Sequence, residues 1–198
     1  MNERNLKILG AMVMIALGIS GRVALRPFVP AGSALIAFDL FAIIGIMSVL
    51  AGLLLGGIYS IVVPLGAMAG SDLIFGNGLI FVFTWSGFAL MGILGWQARK
   101  DRAPNATFGL RLTGIGVAGI LAFDLWTNLG WWLLTPMYPH TAAGLAACYG
   151  MALPFIVGHL LTTAAALPLV ALPLLRLSEN RVKLANSLRA CLGLPVTA

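Results

Sequence analysis

Apolar positions in this chain run in long blocks rather than in alternating stripes. The blocks cover about residues 8–25, 34–55, 58–75, 79–97, 111–134 and 145–175. The first five are near the roughly 20 residues that an α-helix needs to cross about 30 Å of hydrocarbon, and the last is longer. Hydrocarbon admits only helices or a closed barrel, because no water is there to satisfy backbone groups. Runs of Leu, Ala, Gly and Ile without period-2 alternation exclude the barrel. The pattern therefore predicts an all-α membrane protein, a six-helix transmembrane bundle forming a single domain over 1–198. "GGIYS" at 56–60 and "SDLIFGNG" at 71–78 are short enough to make tight hairpins, and "QARKDRAPNATFGLR" at 97–111 is the one substantial polar linker. The last block carries Pro154, Pro168 and Pro173, which predicts tilt or kinks. In the tail, 176–198, Leu177, Leu184, Leu188 and Cys191 recur near helical period among basic residues. That spacing predicts a C-terminal amphipathic helix lying at the membrane interface.

Composition supports membrane solvent: 60% of residues are apolar, 9% are charged and mean hydropathy is +1.01, whereas a soluble domain carries about a quarter charged residues. Charge then sets orientation. Of the twelve cationic residues, Arg4, Lys7, Arg99, Lys100, Arg102, Arg111, Arg176, Arg181, Lys183 and Arg189 share one side if there are six crossings, and that side is the cytoplasm. Both termini are expected there, with the first span a retained signal anchor rather than a cleaved leader. The net charge of +6 reports topology and anionic lipid headgroups rather than nucleic acid. Cys148 and Cys191 fall on opposite sides, so no disulfide joins them within a chain. Arg22 and Arg26 break the positive-inside pattern and require a reason.

With this topology three loops, 22–33, 71–78 and 135–143, open on one external face. They and the adjoining span ends hold Arg22, Arg26, Asp39, Asp72, Asn77, Asp124, Trp126, Asn128, Tyr138 and His140. Apolar walls with a few fixed polar groups describe a small-molecule site, so these ten residues are the candidate ligand-binding set. Asp39 and Asp124 lie inside spans, where a carboxylate needs a partner or a cavity. Arg22 or Arg26 is the expected partner, and a structural lock or a ligand contact accounts equally for either acid. Asp72 also suits an N-cap or turn. Trp131 and Trp132 fit an interfacial belt or divide between it and the pocket rim, while Trp126, deeper in its span, fits a pocket wall. Pro136 and Pro139 are expected to hold Tyr138 and His140 over the mouth as a lid. His159, mid-span, suits a hydrogen bond to a neighbouring helix, with ligand contact or haem ligation as alternatives.

Small residues mark helix contacts at Ala16, Ser20 and Ala24, at Gly52 and Gly56, and at Gly114, Ala118 and Ala122. The first stripe is the candidate face for a partner subunit. "IAFDLFAIIG" and "LAFDLWTNLG" look alike, but one enters the membrane where the other leaves it, so they do not make an inverted repeat. There is no Cys-x-x-Cys pair and no His-Glu-x-x-His, so no metal site is predicted. The serines of "AGSDL" and "TWSGF" lack a recognisable base. No catalytic residue is assigned, the protein is not expected to be an enzyme, and no cofactor is identified.

"TNLGWWLLTPMYPHTAAGLAACYGMALPFIVGHLL" at 127–161, "LRPFVPAGSALIAFDLFA" at 25–42 and "VPLGAMAGSDLIFG" at 63–76 resemble a family of small bacterial membrane proteins catalogued as a domain of unknown function. That resemblance implies a multi-pass protein of the bacterial inner (plasma) membrane. In size, span layout and external loops the chain also resembles the S-components of energy-coupling-factor vitamin transporters. This likeness implies a substrate-binding subunit of a micronutrient importer, taking a vitamin-like small molecule or a metal. Its partners would be membrane lipid and a transmembrane coupling subunit with cytoplasmic ATPases, docked on Ala16, Ser20 and Ala24, although that stripe departs from the group's Ala-x-x-x-Ala form. An accessory subunit of a larger membrane complex is the alternative.

Overall fold

The computed structural model describes residues 2–26, 40–76, 78–101 and 105–191. Six α-helices follow one another: α1 Glu3–Leu25, α2 Leu40–Leu54, α3 Tyr59–Phe75, α4 Phe81–Ala98, α5 Ala106–Leu134 and α6 Ala142–Cys191. Among the described residues there is no strand. Caps mark the starts that the hydropathy left vague. Asn2 accepts from the Arg4 backbone N–H and Asn105 from that of Phe108, each satisfying a donor that the first turn leaves unpaired. The α2–α3 turn runs through Gly56 and Gly57 at φ 68 and 56, a left-handed conformation that glycine adopts without a Cβ penalty.

Length and composition qualify α1, α4, α5 and the Ala142–Leu177 part of α6 as membrane spans. The described part of α2 has 15 residues and α3 has 17, about 22 and 26 Å at 1.5 Å per residue, short of roughly 30 Å of hydrocarbon. The exposed surface carries Leu6, Met12, Leu73, Leu110, Met151, Leu161 and Leu169, side chains that lipid rather than water accommodates. The protein is a membrane protein.

One expectation is corrected at the C-terminus. Residues 176–191 do not form a separate surface helix but continue α6. At 50 residues, α6 is about 75 Å long, more than twice the hydrocarbon thickness. It stays helical through Pro154, Pro168 and Pro173, each of which removes one i→i−4 hydrogen bond.

Two inner helices organise the bundle. α4 packs against α2, α3 and α5, while α2 also contacts α1, α3 and α6. The α2–α4 seam brings backbone against backbone: a Cβ on Gly52 would overlap the Gly92 carbonyl oxygen, and one on Gly95 would overlap that of Val49. Gly92 itself lies against the Ser60 carbonyl. Pro64 has no N–H to donate to that carbonyl, so the oxygen can accept the close approach of α4. Phe88, Met91, Ile44, Leu53, Met68, Leu112 and Ile120 fill the core around this seam.

Of the small-residue stripes, Gly52 lies in the α2–α4 seam. Gly114 and Ala118 are exposed and nothing stands within 4 Å of a Cβ on Gly114. The close positions of α5 are instead Gly116, against Leu167 and Thr163 of α6, and Gly119, against Leu94 and Met91 of α4. Ala16, Ser20 and Ala24 all lie on the exposed face of α1, opposite Ala11, Gly18 and Arg22, which are buried.

Candidate functional site

Two polar clusters stand at one end of the bundle, where α1, α3 and α5 end and α4 and α6 begin. They are separate, and they divide the candidate residues between them.

The first joins α1, α3 and α4. The Arg22 guanidinium meets Asp72 at 3.0 Å, donates to the Ser71 hydroxyl, and lies 3.5 Å from the Met68 sulfur. The Trp85 indole N–H donates to the other Asp72 oxygen at 2.8 Å. Both charged side chains are buried, at 7% and 8% exposure, and such a pair holds only when further hydrogen bonds satisfy it. Arg22 and Arg26 both stack near the Phe75 ring, at 5.5 and 4.8 Å from its centroid. Asp72 is thus neither an N-cap nor a turn residue but the buried acid of α3's last turn. Asp39 and Asn77 lie outside the described residues, and with them the expected pairing of Arg22 with Asp39.

The second cluster lines a cavity of about 490 Å3 between α4, α5 and α6. Its walls are Thr84 of α4; Phe123, Asp124, Thr127, Asn128 and Trp131 of α5; Tyr138 of the following loop; and Cys148, Met151, Ala152, Phe155 and His159 of α6. On α5 the positions 124, 127, 128 and 131, and on α6 the positions 148, 151, 152, 155 and 159, follow the i, i+3, i+4, i+7 spacing of one helix face. His159 Nδ1 lies 2.7 Å from Asp124 Oδ1, with both residues buried. One proton lies between the two atoms. The structure therefore pairs Asp124 with His159 across α5 and α6, correcting the expectation that an α1 arginine is its partner. His159 makes the anticipated bond to a neighbouring helix.

The other polar groups of the cavity are tied down by their own helices. Thr84 Oγ1 donates to the Ile80 and Phe81 carbonyls, and Thr127 Oγ1 to those of Phe123 and Asp124. Asn128 Nδ2 donates to the Asp124 carbonyl, and the Cys148 thiol lies 3.6 Å from the Asn128 carbonyl. The Tyr149 hydroxyl donates to the Leu125 carbonyl at 2.8 Å, fastening α6 to α5 beside the cavity. The loop over the mouth is similarly held. The Pro139 carbonyl accepts from the Trp132 indole and from the Thr141 N–H, and the Thr141 hydroxyl accepts from the Gly144 N–H at the start of α6.

Three aromatic assignments change. Trp131 lines the cavity, whereas Trp126 does not. Trp126 lies two residues from Asp124, about 200° around the helix; its indole donates to Ser86 at 2.9 Å and its ring packs on Phe83. Tyr138 reaches the cavity, but His140 is exposed, with its ring against the edge of Trp132. Reading the sequence by depth in the span left Trp131 between rim and interface and missed Phe155 and Met151. Their helical register with Asp124 and His159 was the available signal.

Asp124, Asn128 and Tyr138 are thus the candidate residues that share the cavity. Among the described residues, no three His, Cys, Asp or Glu side chains are placed to hold a metal ion. Neither a curated protein nor a solved structure matches the chain. A family model does match, over residues 2–182, a range that takes in every residue of the cavity. The chain belongs to DUF6580, a family of unknown function.

Proposed function

We propose that this protein is the substrate-binding membrane subunit of a small-molecule importer in the bacterial inner membrane, crossing it six times with both termini cytoplasmic. The observation that carries this reading is the cavity of about 490 Å3 under the 135–141 loop, with Phe123, Trp131 and Phe155 as walls and the buried Asp124–His159 pair as its polar floor. Ligand pockets have volumes of about 300–1,000 Å3 and this mixture of apolar wall and few polar groups. The absence of a three-residue metal cluster among the described residues favours an organic molecule over a metal ion. No reaction is assigned. The layout is analogous to that of energy-coupling-factor S-components, an architectural argument only.

Native mass spectrometry of the protein extracted in dodecyl maltoside tests the reading. The wild type should carry a small molecule. Ala152→Phe, which places a ring in the cavity from a position only 8% exposed, should lose it while still melting as a folded protein. A wild type that carries no small molecule, and whose expression changes the uptake of none, refutes the importer.

The exposed stripe of Ala16, Ser20 and Ala24 supports a partner helix on α1, as a coupling subunit with ATPases requires. The same stripe favours the second reading, an accessory subunit with no ligand of its own. Ala16→Leu should abolish assembly with the partner under either reading, but only an importer loses uptake of a cavity ligand.

A further inference from the structure

The cavity also carries information about the charge of what it binds. Among the described residues that line it, none is Lys or Arg; the ionisable groups are Asp124, His159, Tyr138 and Cys148. The two arginines at this end of the bundle are committed to the other cluster, Arg22 with Asp72 and Arg26 over Phe75. No fixed cation of the cavity wall is therefore available to a carboxylate or phosphate.

Hydrogen-bond direction points the same way. The Thr84 and Thr127 hydroxyls and the Asn128 amide nitrogen spend hydrogens on carbonyls of their own helices. What Thr84 and Thr127 present further is lone pairs, while Asn128 presents its amide oxygen and its second amide hydrogen. Among the described lining residues the one carboxylate is that of Asp124, held by His159. Around it stand the faces and edges of Phe123, Trp131, Tyr138 and Phe155, and aromatic faces attract cations through their quadrupoles.

We infer that the cavity selects an organic cation, a molecule with a protonated amine, amidine or N-heterocycle joined to a flat apolar body. This assignment rests on the small-molecule reading above. The ammonium could belong to a free solute or to the headgroup of an ethanolamine lipid reaching the mouth from the bilayer. The recognising chemistry is the same in both cases.

Calorimetric titration of the purified full chain in dodecyl maltoside decides the matter with three probes of nearly equal shape: 2-phenylethylammonium, 2-phenylethanol and phenylacetate. The cation should bind at least tenfold more tightly than either other probe. Asp124→Asn should remove that tenfold advantage, and Trp131→Leu should weaken the cation several-fold while leaving the ranking intact. If Asp124→Asn does not fold, the three probes on the wild type still decide. Repeating the titration in nanodiscs containing phosphatidylethanolamine separates the sources: competition identifies the lipid headgroup, and unchanged affinity identifies a free solute. Equal or tighter binding of phenylacetate or 2-phenylethanol overturns the charge class. If native mass spectrometry finds a retained molecule that is anionic or neutral, the charge class alone fails; if it finds none, the small-molecule reading fails with it.

Discussion

Replacing Asp72 with Asn removes a charge and little else, and it leaves the Arg22 guanidinium in a site where both partners are less than a tenth exposed. At an effective dielectric of about 20, unit charges 3.0 Å apart attract by roughly 5 kcal/mol. Desolvation of both ions offsets most of that in the intact pair, so the pair adds little net stability. Breaking it is different: the surviving ion keeps its desolvation cost without its counter-charge, which destabilises by about 3–5 kcal/mol. Arg22→Met should cost less than Asp72→Asn, because a methionine fills the space beside Met68 and a carboxylate can be neutralised by a proton. The double variant should then recover about 2 kcal/mol relative to the sum of the single changes. The assay is reversible unfolding by sodium dodecyl sulfate in mixed micelles, followed by circular dichroism. Additivity within about 0.5 kcal/mol, the spread expected of independent sites, would refute a coupled pair. Trp85→Phe provides an internal check. It deletes one donor to Asp72, so its cost should be nearer 1–2 kcal/mol, as for about one hydrogen bond to a charged group.

Gly92→Ala should destabilise the bundle by about 1–3 kcal/mol or prevent its assembly, as overpacking does, because the new methyl meets the Ser60 carbonyl. Gly114→Ala, with open space around its Cβ, should be neutral or slightly stabilising in the same unfolding assay; equal costs would dismiss the close approach of α4 to α3 at Gly92. Topology is read by thiol labelling in a background without native cysteines. Lys100→Cys should label only from the cytoplasm and Met137→Cys, at a position 63% exposed, only from outside, and labelling of both from one side would mean an even number of crossings between them.

Much of the architecture was legible along the chain. The apolar blocks at 58–75, 79–97 and 111–134 fall on the helices α3, α4 and α5 with ends displaced by five residues or fewer, because glycine-rich and turn-forming polar sequence is where a helix stops. The 176–191 segment was misread as an independent helix because leucine spacing reports helix and amphipathicity but not continuity, and no glycine interrupts α6 between Gly158 and Cys191.

What the sequence by itself determined, then, was the solvent, the helices and the end of the bundle where polar groups gather. Only the tertiary structure decided which way each helix faces. In water a helix declares its buried side by placing polar residues opposite it, but in lipid both sides are apolar and that contrast is lost. Gly114, Ala118 and Ala122 therefore looked as suitable a seam as any, yet the rotation of α5 exposes Gly114 and Ala118 and turns Gly116 and Gly119 toward α6 and α4. The same rotation brings Asp124, Asn128 and Trp131 to the cavity and sends Trp126 to Ser86. Partner choice was decided by packing as well: Arg22 finds Asp72 fifty positions away and Asp124 finds His159 thirty-five away. Charge alone made several pairings possible, and packing of the backbones at Gly52, Gly92 and Gly95 set the helix positions that select among them.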